Sequence, residues 1–412
     1  MADTRANQAP ISFADPSVQQ CPFAAYAKLR DETPVYHDPI TGNYVLTRYE
    51  HVRKALLNPK ALSNRTGLGG TRTNPAVDAI FDAQGWRPID TLVTNDPPEH
   101  RRYRALVDKA FATTRVEAME PRIQQIIDSL IDSIIDKPEV EFLAEFAVKL
   151  PMTVIAEQLS VDADHMDRFK MWSDISVESM DPTMTPEREI TVVTELTAMQ
   201  RYLATAMDRV RANPDATLLS HLVHAEIDGD RLEMAALQNI LQQLLVAGNE
   251  TTTMTLAAGV KLLIDNPALA EELRNSPERI RGFVEETLRI MSPVQTLFRR
   301  VTQDLEIGGT IIPQGALIEV RYGAANRDPS IYPEPDRIDI CRGNVSSHLA
   351  FGAGPHLCIG NQLARGELRL AFRSIVDRMT NLRPSRGQAS FAYTPLYISY
   401  GLTTLWFSFD KR

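Results

Sequence analysis

The sequence predicts a mainly α protein of the α+β kind, a large helix-rich body carrying a small sheet, and three observations lead there. From about Asp96 to Asn275 apolar residues recur at three- and four-residue spacing, as in Ile123–Ile135, the period of helices that bury one face. Strand-like runs are few and short, so strands form a minor layer beside the helices. No internal repeat, low-complexity tract or linker interrupts the 412 residues, and 1–412 therefore reads as a single domain, although ~150 residues is the usual domain length.

The hydrophobic content of 43% and charged content of 24% leave ample material for a core. A net charge of -9, without a basic tail or lysine run, argues against a nucleic-acid partner. Three cysteines, Cys21, Cys341 and Cys358, make a poor disulfide framework and suit a reducing compartment, the cytoplasm. Met1 to Gln20 carries Asp3, Arg5, Asp15 and two prolines with no apolar run, so neither a signal peptide nor a membrane anchor is expected.

In chain order, Val35–Tyr36 and Tyr44–Thr47 read as short strands. Ser63 to Asn95, with Gly67, Gly69, Gly70, Pro75, Gly85 and Pro88, reads as a mobile surface loop. Asp96-Pro97-Pro98 opens a helix that sets His100 and Arg104 four apart on one side, with Arg101 and Arg102 on other faces. Asp230 followed by Glu233 is a capping-box-like start, and the helix it opens runs to Ile264 before Pro267 ends it. Inside lies Ala247-Gly248-Asn249-Glu250-Thr251-Thr252-Thr253, poor helix formers among good ones. Threonine hydroxyls that capture backbone carbonyls bend helices, so a kink with a small polar hole is expected there. Gln243 and Ala247 share the Thr251 face, and Gln243 either binds a substrate oxygen or caps a neighbouring backbone group.

Glu286 and Arg289 stand three apart on one helix face. Leu305–Arg321 reads as two strands around Pro313-Gln314-Gly315, and Asn326–Arg342 is a proline-rich meander of the irregular kind that is functional or well tied down. Then comes Phe351-Gly352-Ala353-Gly354-Pro355-His356-Leu357-Cys358-Ile359-Gly360, one cysteine in a glycine-rich loop running into a helix. A thiolate there meets unpaired N–H groups and the positive end of the helix dipole, which suits one sulfur held against one metal. A zinc reading of His356-x-Cys358 needs two further ligands, and none stands at a familiar spacing.

This ten-residue string resembles the haem-binding loop of the cytochrome P450 superfamily, and every fixed position of that pattern matches. Ala247-Gly248-x-Glu250-Thr251-Thr252 is likewise similar to the family's oxygen-binding groove. The resemblance implies the cytochrome P450 fold with haem b as cofactor and Cys358 as metal ligand, in a loop whose cofactor contacts include Phe351 and Gly352. Ala247 and Gly248 would border the cofactor on the long helix. His100, Arg104, Arg299 and His356 would bind its propionates. Thr251 would contact dioxygen while Glu250 feeds protons, because O–O cleavage needs two protons at the distal oxygen. Glu286, Arg289 and Arg342 would form an ion-pair support for the loop.

The activity implied is monooxygenation of a small or medium hydrophobic molecule by O2. Electrons would come from NAD(P)H through a ferredoxin reductase and a ferredoxin, with no reductase fused to this chain. The ferredoxin would dock over Arg101 and Arg102, and the protein would act as a monomer without nucleic acid or membrane. Candidate substrate contacts are Gln243, Val246, Ala247, Val294, Leu297 and Leu402, with lining from Ser63–Asn95 and Met171–Thr194. A peroxide-dependent peroxygenase and a non-catalytic haem sensor or binding protein are the alternatives.

Overall fold

The computed structural model describes residues 10–66, 74–179, 184–227, 229–393 and 395–412. Contacts divide the chain into two compact units, one of Met1–Thr66, Arg279–Leu357 and Phe391–Thr404, the other of Gly67–Glu278, Cys358–Ser390 and Leu405–Arg412.

The first unit is built on a five-stranded sheet in the order Val35–His37, Tyr44–Leu46, Leu317–Arg321, Thr296–Val301, Leu62–Ser63. Only the Tyr44–Leu46 and Leu317–Arg321 pair is parallel. The apolar residues Leu46, Val301, Ile318 and Val320 are all buried and pack with Val52 and Leu56 of the helix Tyr49–Leu56. The two strands expected in Leu305–Arg321 are three. Gly308 and Gly309, both at positive φ, close a separate hairpin of Leu305–Ile307 on Thr310–Ile312 before the chain reaches Leu317–Arg321. A two-residue Gly-Gly turn matches strand twist at no steric cost.

In the same unit the helix Ile280–Met291 buries both Glu286 and Arg289 completely. Every N–H of the Arg289 guanidinium is taken, by Glu286 Oε1 and Oε2 at 2.6 and 3.0 Å and by the carbonyls of Asn326, Pro335 and Arg337. Glu286 also accepts from Arg342 Nε at 3.2 Å and from the Asp339 N–H at 2.8 Å. The prolines deny the meander a regular ladder, and this buried charge pair supplies its hydrogen bonds instead.

The second unit is helical. Thr113–Ile134 buries Ile123, Ile127, Ile131 and Ile134 on one face, each about 1.5–3 kcal/mol of apolar burial. The longest helix, Met234–Asp265, is continuous and buried over most of its length. It packs on the helix Asn361–Arg378, where a Cβ on Gly259 would stand 2.2 Å from Phe372 Cζ. Strands Val140–Glu141 and Met379–Pro384 flank the end of the C-terminal strand.

Two expectations fail here. Ser63–Asn95 is not all loop: Asn74 caps a helix over Pro75–Gln84, its Oδ1 accepting from the Ala76 N–H, with Pro75 in the first turn. Gly67, Gly69 and Gly70 lie outside the described residues. Nor does Asp230 open the long helix. It pairs in a short hairpin with Ile227, its carboxylate binds Arg102, and Glu233 occupies the cap position without a side-chain cap bond.

Candidate active site

The long helix is the organising element of the second unit's site. Stretches on either side of its middle, Ala236–Gln238 and Thr255–Val260, are buried, yet Ala247 and Gly248 are exposed, and a Cβ on Gly248 would meet nothing within 4 Å. Beside this window the three threonines are used differently. Thr251 Oγ1 donates to the Ala247 carbonyl at 2.8 Å, Thr253 Oγ1 to the Ala147 carbonyl at 3.0 Å, and Thr252 to the carboxyl of Glu367. Thr251 is the one of the three that stays partly exposed. The helix stays helical through this stretch, because the hydroxyls bond to carbonyls without displacing the ladder.

Glu250 keeps solvent access while standing close to the helix Met166–Glu178. Partial loss of water raises its pKa above the usual carboxyl range, the Asp174 charge raises it further and Lys170 works against both. A carboxyl that holds a proton more readily and still touches solvent is suited to relay one.

Gln243 is engaged by its neighbours. Its amide donates to Thr91 Oγ1 at 2.8 Å and accepts from the Val93 N–H at 3.3 Å, which is the capping role of the two expected. Val246, one turn before Glu250, is half-buried.

Cys358 lies three residues ahead of the helix Asn361–Arg378, and Asn361 Nδ2 donates to its carbonyl at 2.6 Å. Burial pushes its thiol up, while the Gly360 N–H and the Arg104 and Arg365 guanidinium groups pull it down. A desolvated sulfur surrounded by donors and cations becomes a thiolate when a metal adds the remaining positive charge. Arg104 gives its Nε to Asp108 at 2.7 Å, one turn on. His100 is buried, and desolvation followed by the Arg104 charge lowers its pKa. Arg102 is bound by Asp230, so the basic face expected of Arg101 and Arg102 is partly neutralised.

In the first unit, Gly352 and Gly354 both hold positive φ, at +69° and +72°, and a Cβ on Gly354 would stand 2.6 Å from the Leu56 carbonyl oxygen. Glycine is required there for conformation and for space. Phe351 and His356 are half-buried in the same turn. Arg299 is 4% exposed and gives Nη1 to the Phe298 carbonyl at 2.7 Å, beside the Tyr322 hydroxyl. Among the described residues it has no carboxylate partner. A buried guanidinium without a counter-ion is costly, so a cofactor that brings carboxylates fits this position.

Val294 is half-buried and bridges to Ser399, and Leu297 is exposed. Leu402 is not a surface residue: it starts the strand Leu402–Lys411 and is 3% exposed. The exposed apolar side chains of that stretch are Leu396 and Ile398, and Ile398 lies against the start of the Leu297 strand, its carbonyl accepting from the Gln295 N–H. Sequence reading missed this pair because period-2 alternation fixes which residues alternate but not where the strand begins. Glu367 was missed too, its only sequence signal being an acidic residue in an otherwise apolar helix face.

The family model described as Cytochrome P450 matches residues 188–389. Cytochrome P450 107B1 of Saccharopolyspora erythraea is 37% identical over 367 residues, 87% of each chain. The vitamin D(3) 25-hydroxylase of Pseudonocardia autotrophica is 34% identical over 390 residues, 94% of this chain and 93% of its own. The solved cytochrome P450 CYP109Q5 of Chondromyces apiculatus superposes with a TM-score of 0.86 at 31% identity, covering 98% of both chains. With identity at this level spread along nearly the whole chain and the fold shared, the chain belongs to the cytochrome P450 family and is a haem b monooxygenase.

Proposed function

We propose that this protein, acting as one domain over 1–412, hydroxylates a small or medium hydrophobic organic molecule, with Cys358 as the iron ligand and Glu250 and Thr251 as the proton route. The observation that carries the reading is the exposed Ala247–Gly248 window in the middle of a largely buried helix, followed at once by a carboxyl of raised pKa and a half-exposed hydroxyl. Haem b, when bound, supplies the activation of O2, one atom of which enters a C–H bond while the other leaves as water with the two electrons and two protons delivered. The chain's own residues hold the group and move protons. Arg299, Arg104, His100 and His356 would bind its two carboxylates, Phe351, Gly352, Ala247 and Gly248 would border it, and the sulfur of Cys358 would be the iron's protein ligand and donate electron density to it.

Glu250 takes a proton from solvent and passes it toward Thr251, whose hydroxyl can accept it while releasing its own. Its bond to the Ala247 carbonyl keeps that hydroxyl oriented in the resting state. Substrate contacts come from Val246 and Ala247, and from Val294 and Leu297 together with Ile398 in place of Leu402. Gln243, held by Thr91 and the Val93 N–H, is a positioning residue on the long helix. The apolar character of these side chains, and a relative named for vitamin D(3), support a terpenoid, steroid or similar hydrophobe. Among the described residues no helix is long and apolar enough to cross a membrane, and the acidic total with sparse cysteines supports a monomeric cytoplasmic protein.

Electrons come from NAD(P)H through a ferredoxin reductase and ferredoxin. The test is to screen hydrophobic compounds for a low- to high-spin change of the ferric protein, then to supply NAD(P)H with a ferredoxin pair and identify products. Hydroxylated product in proportion to NAD(P)H consumed is expected. Faster turnover with hydrogen peroxide, unaffected by Thr251→Ala, would replace this reading with a peroxygenase.

A further inference from the structure

The chain enters the cysteine loop at His348–Ala353, which belongs to no strand or helix, and two of its backbone donors find partners among side chains. The Leu349 N–H donates to Asn326 Oδ1 at 2.6 Å. The Ala350 N–H donates to Nδ1 of His348 at 3.2 Å. On the far side of the ring, His348 Nε2 stands 3.1 Å from Oε2 of Glu285, with both residues only 5% exposed. The His348 ring centroid is 5.9 Å from that of Phe351.

These contacts determine the tautomer. A ring nitrogen that accepts an N–H carries no proton of its own, so Nδ1 is bare and the single proton of the neutral ring sits on Nε2, aimed at Glu285. An imidazolium would set the Nδ1 proton against the Ala350 N–H. The Glu285 contact, which distance alone would class as an ion pair, is then a hydrogen bond donated by an uncharged ring. Its effect is geometric, since Glu285 fixes the ring, the ring fixes the backbone at Ala350, and Ala350 immediately precedes Phe351.

We propose that His348, held as the neutral Nε2–H tautomer between Glu285 and the Ala350 N–H, is a positioning residue that sets Phe351 and the entry of the loop leading to Cys358. This rests on the haem-thiolate reading of Cys358. Groups that orient a metal ligand from behind also tune the metal, so loss of the strut reaches the iron's electronic properties as well as the fold.

The test uses the full haem-loaded chain. His348→Asn presents an Oδ1 to the Ala350 N–H but is too short to reach Glu285, whereas His348→Leu presents no acceptor at all. The Asn variant, which keeps the Ala350 contact, is expected to retain more of the thiolate-type spectrum of the reduced carbon monoxide complex than the Leu variant and a ferric/ferrous midpoint potential closer to that of the unaltered protein. The Leu variant is expected to convert part of that spectrum to the non-thiolate form and to shift the potential. In unaltered protein labelled with 15N-histidine, as the ferrous carbon monoxide complex, one imidazole is expected to report a neutral Nε2–H ring and to vanish in His348→Asn. The proposal is overturned if the Leu variant matches the unaltered protein in spectrum and potential, if the Asn variant fares no better than Leu, or if the His348 ring is doubly protonated. Should the Leu variant not fold, the Asn variant and the nitrogen spectrum still decide. Absence of a thiolate-type spectrum in the unaltered protein would instead overturn the reading of Cys358.

Discussion

Thr251 has a single hydroxyl proton, and in the structure that proton is given to the Ala247 carbonyl at 2.8 Å. The oxygen keeps its lone pairs, so Thr251 can accept from a neighbour without breaking the helix bond, then rotate to donate. Thr251→Ser preserves this chemistry and Thr251→Ala removes it. The Ala variant is expected to consume NAD(P)H while forming product about 100-fold more slowly and releasing hydrogen peroxide, the size of effect usual for a lost proton-transfer group. Product analysis against NAD(P)H consumption measures it, and near-parental coupling in the Ala variant counts against the relay. At Cys358 the expected outcome concerns the ligand itself. Cys358→His is expected to retain haem and lose the thiolate-type spectrum of the reduced carbon monoxide complex, and survival of that spectrum removes the sulfur from the site. Both proposed roles come from the sequence, since they depend on residue type and spacing. That Thr252 instead serves Glu367 is not, because the partner comes from a helix more than a hundred residues away.

The contact between the helices Met234–Asp265 and Asn361–Arg378 joins the threonine stretch to the element that follows Cys358, and two of its features are testable. Glu367 is buried there, and desolvation, only partly offset by the Thr252 hydroxyl, raises its pKa from 4.5 to about 8. The unfolded carboxyl ionises near 4.5 and the folded one only near 8, so the folded state binds the extra proton between those values. Stability from this group is complete below the lower value and declines by about 1.4 kcal/mol per pH unit as pH rises toward the upper one. Glu367→Gln keeps the shape without the charge. It is expected to match the parent in denaturant midpoint at pH 5 and to exceed it increasingly up to pH 8, and parallel curves for the two proteins would contradict the assignment. Gly259 gives the second feature. Gly259→Ala drives a methyl to 2.2 Å from Phe372 Cζ and is expected to cost about 1–3 kcal/mol, recovered in part by Phe372→Leu in the same chain. A glycine inside a helix reads in sequence as a weak helix former, and only the packed neighbour reveals that it is a contact surface.

For the molecule as a whole, the buried Glu286, Arg289 and Arg342 network decides whether the meander and the loop entry in the first unit have a defined form. Arg289→Met leaves Glu286 buried with Arg342 as its remaining cation and removes a donor from each of three carbonyls. Breaking a buried pair from one side is expected to cost about 3–5 kcal/mol, enough to lower the yield of folded, haem-loaded protein severely. Urea titration with a haem absorbance readout measures it, and an unchanged midpoint would reduce the network to a surface feature.

The sequence by itself determined the family, the helical body with its small sheet and the Glu286–Arg289 pair with Arg342, and it supplied the proposed roles of Cys358, Glu250 and Thr251, because each reading depends on residue types at fixed short spacing. Tertiary structure alone decided whether Gln243 faces a substrate or a backbone group, that Leu402 is interior while Ile398 is exposed, that Asp230 serves Arg102 rather than a helix cap, and that Arg299 lies buried with no acidic partner among the described residues. Burial and pairing are properties of what packs on a residue from distant parts of the chain, and local spacing holds no record of them.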